Sequence, residues 1–152
     1  MVPPPKQDGR EPVTPEMTRG AVDPLSALLA ALLKPDPATA CSGRTPVFDG
    51  RRRYDTLPKV LGQANIEPRQ AGAYRGPALH CELYIERIAG YSAKDFAKRR
   101  PEEPGFEVWF ARLPGFPILL PVKVFADTRY GETVAMLTRL EKDGQAINLQ
   151  AR

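Results

Sequence analysis

"LHCELYIERI", residues 79–88, decides the fold. Leu79, Cys81, Leu83 and Ile85 fall on one side of an extended chain, and His80, Glu82, Tyr84 and Glu86 fall on the other. A period of two marks a half-buried strand, because successive side chains leave a strand on opposite faces. The pattern spreads outward from there. "FEVWFARL" (106–113) sets Phe106, Val108 and Phe110 against Glu107, Trp109 and Ala111. "TPVF" (45–48) runs into Asp49-Gly50, a turn signal, and "RRRYDTLPKVL" (51–61) resumes as strand until Pro58 breaks it or demotes it to an edge.

"ADTRYGETV" (126–134) predicts a type I turn followed by Gly131 in the left-handed region, a three-residue loop that pairs Thr128 with Glu132. Counting outward sets Val124 opposite Met136 and Ala126 opposite Val134. Ile118, Leu120, Val122, Val124, Ala126, Val134, Met136 and Leu140 then share one side, with Lys123, Asp127, Thr133 and Arg139 on the other. A two-residue turn shifts the pairing by one and mixes the faces, so the bulged loop is preferred.

Ahead of the strands, Asp23-Pro24 opens a helix over 24–33, with Asp23 as cap and Pro24 in the first helical position. In "PLSALLAALL" only Ser26 is polar, and Pro35 and Pro37 stop the run. A short helix that is apolar all round is expected inside a core or against another surface, with a membrane-inserting or partner-binding helix as the functional alternative. As a helix it spans about 15 Å, half a hydrocarbon layer, and no segment is long and apolar enough to cross a membrane. The fold expected is α+β and mainly β: a curved antiparallel sheet, an incomplete β-barrel, packed on one short apolar helix. Residues 1–22 read as a proline-rich extended segment or edge strand, 23–142 as a single β-rich domain, and 143–152 as a C-terminal tail.

Composition sets the bounds. The chain has 152 residues, enough for one core, with 42% apolar and 26% charged residues, which is ordinary for a globular domain. The 17 prolines limit long helices and interior strands. The net charge of +4 permits contact with polyanions without requiring it. Bases and acids interleave in "KDFAKRRPEE" (94–103), which reads as a solvated loop, and nucleic acid is not an expected partner. "MVPPPKQDGR" at the start has neither a basic nor an apolar leader region.

Chemistry finds little to use. His80 is the only histidine and stands mid-strand, and no serine sits in an elbow motif. No glycine-rich phosphate loop is present. Two cysteines and one histidine cannot complete a tetrahedral set, so neither metal, cofactor nor catalytic residue is expected. Arg51, Arg52 and Arg53, read as strand, must alternate and so cannot form one flat basic patch. Asp49, Arg52 and Tyr54 are expected to be polar residues of the rim with a structural role. For Cys41 and Cys81 the residues leave two readings open, separate thiols or a bond closing a loop of about 40 residues.

In order, "VDPLSALL", a cysteine, "PVFDGRRRYD", "YRGPALHCELYIERIAGY", a "VWF" strand and "LPVKVFADTRYGETVAML" cover residues 20 to 140. This succession resembles an exported bacterial family known as domain of unknown function thirty-one-oh-eight. The resemblance implies a periplasmic protein, an incomplete antiparallel barrel similar in outline to lipid- and lipoprotein-carrying folds, and a Cys41–Cys81 disulfide. Family members usually carry a signal peptide and further strands before the helix, so the chain is expected to be the C-terminal part of such a domain. The function expected is binding of a lipid or other apolar ligand in a half-open barrel. Leu28, Leu32, Val122, Val124, Val134 and Met136 are the candidates for its groove. The alternative is an envelope protein with a structural or interaction role and no small ligand. Either an apolar ligand or an envelope protein is the partner to expect.

Overall fold

The computed structural model describes residues 9–32, 36–94, 106–128 and 131–150. The elements are α1 (Pro15–Thr18), α2 (Pro24–Leu32), α3 (Pro37–Ala40), β1 (Thr45–Phe48), β2 (Arg53–Ile66), β3 (Gly76–Ala89), β4 (Phe106–Arg112), β5 (Leu119–Thr128), β6 (Gly131–Met136), β7 (Glu141–Lys142) and β8 (Gln145–Ala146). The fold is mainly β, as the alternating sequence requires. Strands β1 to β6 form one antiparallel sheet in chain order, each beside its neighbour in sequence, and the sheet does not close into a barrel.

The central strands follow their sequence pattern. In β3, Leu79, Cys81 and Leu83 point to one face, with Val108 and Phe110 of β4 beside them. Ala40 and Cys41, which follow the helices, pack on this face, called here the helix face. The opposite face is not the wet side that a single apolar stripe predicts. Ala78, Trp109, Ala111 and Val122 are buried on it together with Ile66, Tyr74 and Leu149. Leu149 lies in the stretch read as a tail. It is held there because Arg75 N–H donates to its carbonyl at 3.0 Å and Gln150 Nε2 donates to the Ala73 carbonyl at 3.0 Å. This second surface is the tail face.

The last hairpin departs from its expected register. Thr128 pairs with Gly131, Phe125 with Val134 and Lys123 with Met136, so two residues, not three, link the strands. Those two, Arg129 and Tyr130, lie outside the described residues. The objection to a two-residue link was that it mixes faces, and a β-bulge removes it. Trp109 pairs with Lys123 while Phe110 pairs with Pro121, which leaves Val122 as the extra residue. A bulge reverses the side-chain parity of everything beyond it. Leu120, Val122, Phe125 and Met136 therefore share the tail face, and Val124 turns to the helix face.

Pro58 lies inside β2 without ending it. β1 covers β2 only from Arg53 to Thr56. From Leu57 onward the outer side of β2 has no strand partner among the described residues, so a missing N–H leaves no ladder bond unmade. The strand also takes up an extra residue at Leu61, between Val60–Cys81 and Gly62–His80.

Residues 10–22 of the proline-rich start meet the sheet at both ends. Val22 N–H donates to the Pro46 carbonyl at 2.9 Å and its carbonyl accepts from Phe48 N–H at 2.9 Å, which covers the outer edge of β1. Glu11 exchanges backbone bonds with Gly90 and Tyr91. Asp23 caps α2 as its position predicts, its Oδ1 accepting from Leu25 N–H and Ser26 N–H at 3.0 Å each. Those bonds, with the one from the Ser26 hydroxyl foremost, hold its carboxyl below the usual range. The expected burial of α2 on all sides is not found. It contacts β1 and β5 and buries Ala27, but Leu25 is 65% exposed and Ala30 is exposed too. Nine residues cannot present every side to one open sheet. Leu33 and Pro35, and residues 95–103 of the interleaved charged stretch, lie outside the described residues.

Candidate functional site

On the helix face the β2–β3 pairing sets four rows side by side: Tyr54–Arg87, Thr56–Ile85, Pro58–Leu83 and Val60–Cys81. Rows are two residues apart, about 7 Å, so the set runs roughly 20 Å along the strands. Phe106 extends the third row, and Val108 and Val124 extend the fourth. Toward β4 and β5 these rows are covered. Toward β2 they are open, with Ile85 38% and Val60 42% exposed and Pro58 and Leu83 half-buried. Leu61, the bulged residue, adds a further exposed leucine.

The far end of the stripe is closed by a covalent bond. Cys41 and Cys81 form a disulfide, with Cα atoms 6.1 Å apart across a separation of 40 residues. Closing such a loop is worth about 4 kcal/mol by chain entropy.

The near end is cationic. Only Arg53 of the three arginines is in a strand. Arg51 and Arg52 belong to the turn, where their backbone N–H groups donate to Asp49 Oδ1 at 2.9 and 2.6 Å. The alternation argument therefore does not govern them. The Arg52 guanidinium stands 5.8 Å from the centre of the Tyr91 ring and that of Arg87 stands 5.4 Å from it. Burial pushes the hydroxyls of Tyr91 and Tyr54 above the usual tyrosine value, while the nearby Arg52 pulls both the other way. On the opposite side, Asp55 is buried and paired with Arg44 at 2.6 Å and with Arg53, and Glu86 meets Arg44 at 2.8 Å. Those carboxylates are thus committed away from the helix face.

The tail face carries a different polar group. His80 Nε2 meets Glu107 Oε2 at 2.5 Å and its ring stacks on Trp109, centres 4.1 Å apart and 9° from parallel. Lys123 Nζ sits 4.1 Å from the centre of the same indole. Glu82 accepts from the Tyr84 hydroxyl. This row ties β3, β4 and β5 together by stacking and charge. Among the described residues no group of three metal-ligating side chains is assembled. A cleft of about 260 Å³ between Thr138–Leu140 and Ala146–Gln150 is below the usual size of a small-molecule site.

The groove residues read from the sequence are not gathered in one place. Val122 is fully buried on the tail face and Met136 packs against the same core. Val124 packs on the helix face, and Val134 is 54% exposed on β6. The side chains of Leu28 and Leu32 lie outside the described residues. Asp49 and Arg52 share the turn before β2, and the charges of both act on the Tyr54 hydroxyl. Missed were Val60, Arg87 and Tyr91. Arg87 was within reach, because it continues the Cys81–Leu83–Ile85 alternation by one step. No helix among the described residues is long and apolar enough to cross a membrane. Residues 1–138 match the family model described as "Protein of unknown function (DUF3108)", and the chain belongs to that family. No curated protein and no solved structure matches it.

Proposed function

We propose that this family member is an exported, periplasmic protein that holds an apolar ligand, of lipid or lipoprotein type, against the helix face of its open sheet. One observation carries the reading: Pro58, Val60, Leu83 and Ile85 form a continuous apolar stripe left open to solvent beside a core that is otherwise covered. Contiguous exposed apolar surface of this kind marks a binding site more often than chance, and covering one such side chain fully is worth about 2 kcal/mol. The compartment is supported by the Cys41–Cys81 disulfide, since such bonds persist where the surroundings are oxidising.

Delipidated protein titrated with a fluorescent long-chain fatty acid tests the reading. Saturable uptake is expected, weakened on the order of tenfold by Val60→Lys or Ile85→Lys. Absence of saturable uptake would end it. A second reading, an envelope interaction protein without small ligand, is favoured by the outer side of β2 over residues 57–66, which no strand among the described residues covers and which suits addition of a partner's strand. For the compartment, intact mass after alkylation with and without prior reduction is the check. Two free thiols in native protein would overturn it.

A further inference from the structure

We infer that α2 is a movable cover for the helix face: as an acyl chain settles on the Val60–Ile85 stripe, the helix rolls its leucine side inward and closes on the chain. The inference rests on the apolar-ligand reading above and adds the part of the protein that moves. An acyl chain on an open sheet keeps its outer side in water, so holding it takes a second apolar wall. α2 is placed to supply that wall. It meets β1 and β5, the first and fifth strands of the sheet, so it lies across the helix face with β2 and β3 between its supports. Strands stand about 4.8 Å apart, which separates those two by roughly 19 Å, and nine helical residues reach about 13 Å of that. The cover is incomplete, because Val60 and Ile85 remain 42% and 38% exposed.

The helix is held the small way round. Successive residues turn by about 100°, so Leu25 and Ala27 stand about 200° apart, on opposite sides of it. Among its described side chains Ala27 is the buried one, while Leu25 is 65% exposed. Burying a leucine gains far more than burying an alanine, so this packing leaves the Leu25 surface unused. On the small side itself the hold is narrow, since Ala30, three residues beyond Ala27, is already exposed. A helix with one polar side could not turn over without burying that side. In Pro24–Leu32 only Ser26 is polar, and its N–H and hydroxyl are tied to the Asp23 carboxylate at the helix start. The flanks are fixed and can stay so while the helix turns. Val22 exchanges two backbone bonds with β1 at 2.9 Å, and beyond α3 Cys41 is bonded to Cys81 of β3. A nine-residue helix takes its stability from packing, and one that buries Ala27 in place of Leu25 opens at low cost.

The test follows backbone hydrogen exchange over residues 24–32 and over residues 79–88 of β3, in delipidated protein and in protein saturated with the fluorescent long-chain fatty acid. Without the acid, the α2 amides are expected to exchange about a hundredfold faster than those of β3. With the acid bound they are expected to slow about tenfold or more, because a ligand that holds the closed form suppresses opening. Leu25→Gln is the companion variant. Leu25 stands in water in the free protein and glutamine is a good helix former, so the unfolding curve should match wild type while affinity for the acid falls about tenfold. Saturable binding with unchanged exchange over 24–32 would overturn the cover and leave the apolar-ligand reading standing. Wild-type affinity in a folded Leu25→Gln protein would overturn the inward roll of the leucine side in the same way. Absence of saturable binding would bring down both readings. The exchange comparison uses wild-type protein and decides the matter even where the variant fails to fold.

Discussion

A methyl group placed on Gly90 would lie 2.3 Å from the Arg51 carbonyl oxygen and 2.9 Å from the Arg52 Cα, at a φ of +83° that side chains avoid. Both contacts are backbone, so nothing can rotate away. Gly90→Ala is expected to cost about 3 kcal/mol in denaturant unfolding and to loosen the turn that carries Arg52. An unchanged midpoint would show that the turn moves freely. Asp55 is the other residue whose replacement should tell. It is buried between Arg44 and Arg53, and Asp55→Ala leaves the Arg53 charge, 12% exposed, without its counter-charge. A loss of about 3 kcal/mol is expected, read from the same curves. Burial raises the hydroxyls of Tyr54, Tyr74 and Tyr91 above their unfolded value. The folded state thus keeps these protons longer than the unfolded one. Their contribution is complete below the ordinary tyrosine value near pH 10 and fades as pH rises through the folded values. Unfolding midpoints followed from pH 9 to 11 are expected to fall, and less steeply in Tyr91→Phe.

At the level of elements, the strands with regular alternation were legible and the irregular ones were not. Residues 79–87 and 106–112 showed their faces directly, because no extra residue interrupts either; the extra residue of β3 is Ile88, at its end. The Asp23-Pro24 start of α2 was legible for a local reason: a cap and its two donors lie within three residues. The bulge at Val122 was hidden, since "LPVKVF" alternates equally well with or without it. Only the pairing partner, Trp109 against Lys123, shows the slip. The cover of the tail face was hidden too, because Leu149 reaches its place through bonds to Arg75 and Ala73, far off in sequence. Of the candidate site, Leu83 and Ile85 were legible as one face of a strand, whereas their row-mates Pro58 and Val60 depend on the pairing of β2 with β3, which the alternation does not show. The disulfide belongs to this scale as well, joining the helical segment to the third strand. Cys41→Ala/Cys81→Ala is expected to lose about 4 kcal/mol against the oxidised protein. Reducing agent should shift the wild type by a similar amount and leave the double variant unmoved.

The whole molecule is a middle layer with unequal covers. Helices and the disulfide cover part of one face, and the last residues cover much of the other. Leu149, 6% exposed, is the apolar anchor of that second cover. Leu149→Ala is expected to cost about 3 kcal/mol and to raise binding of a dye that seeks apolar surface. A variant as stable as wild type would mean that the cover is dispensable. The outer side of β2 has a further consequence. Over residues 57–66 no strand among the described residues lies on that side, a length that can recruit a second copy and then a third, the route by which β-proteins turn into fibres. Pro58 withholds a donor, Lys59 sets a charge beside it, and the extra residue at Leu61 throws the spacing out of step. The same irregularities that made this strand hard to read stop it from serving as a template for itself.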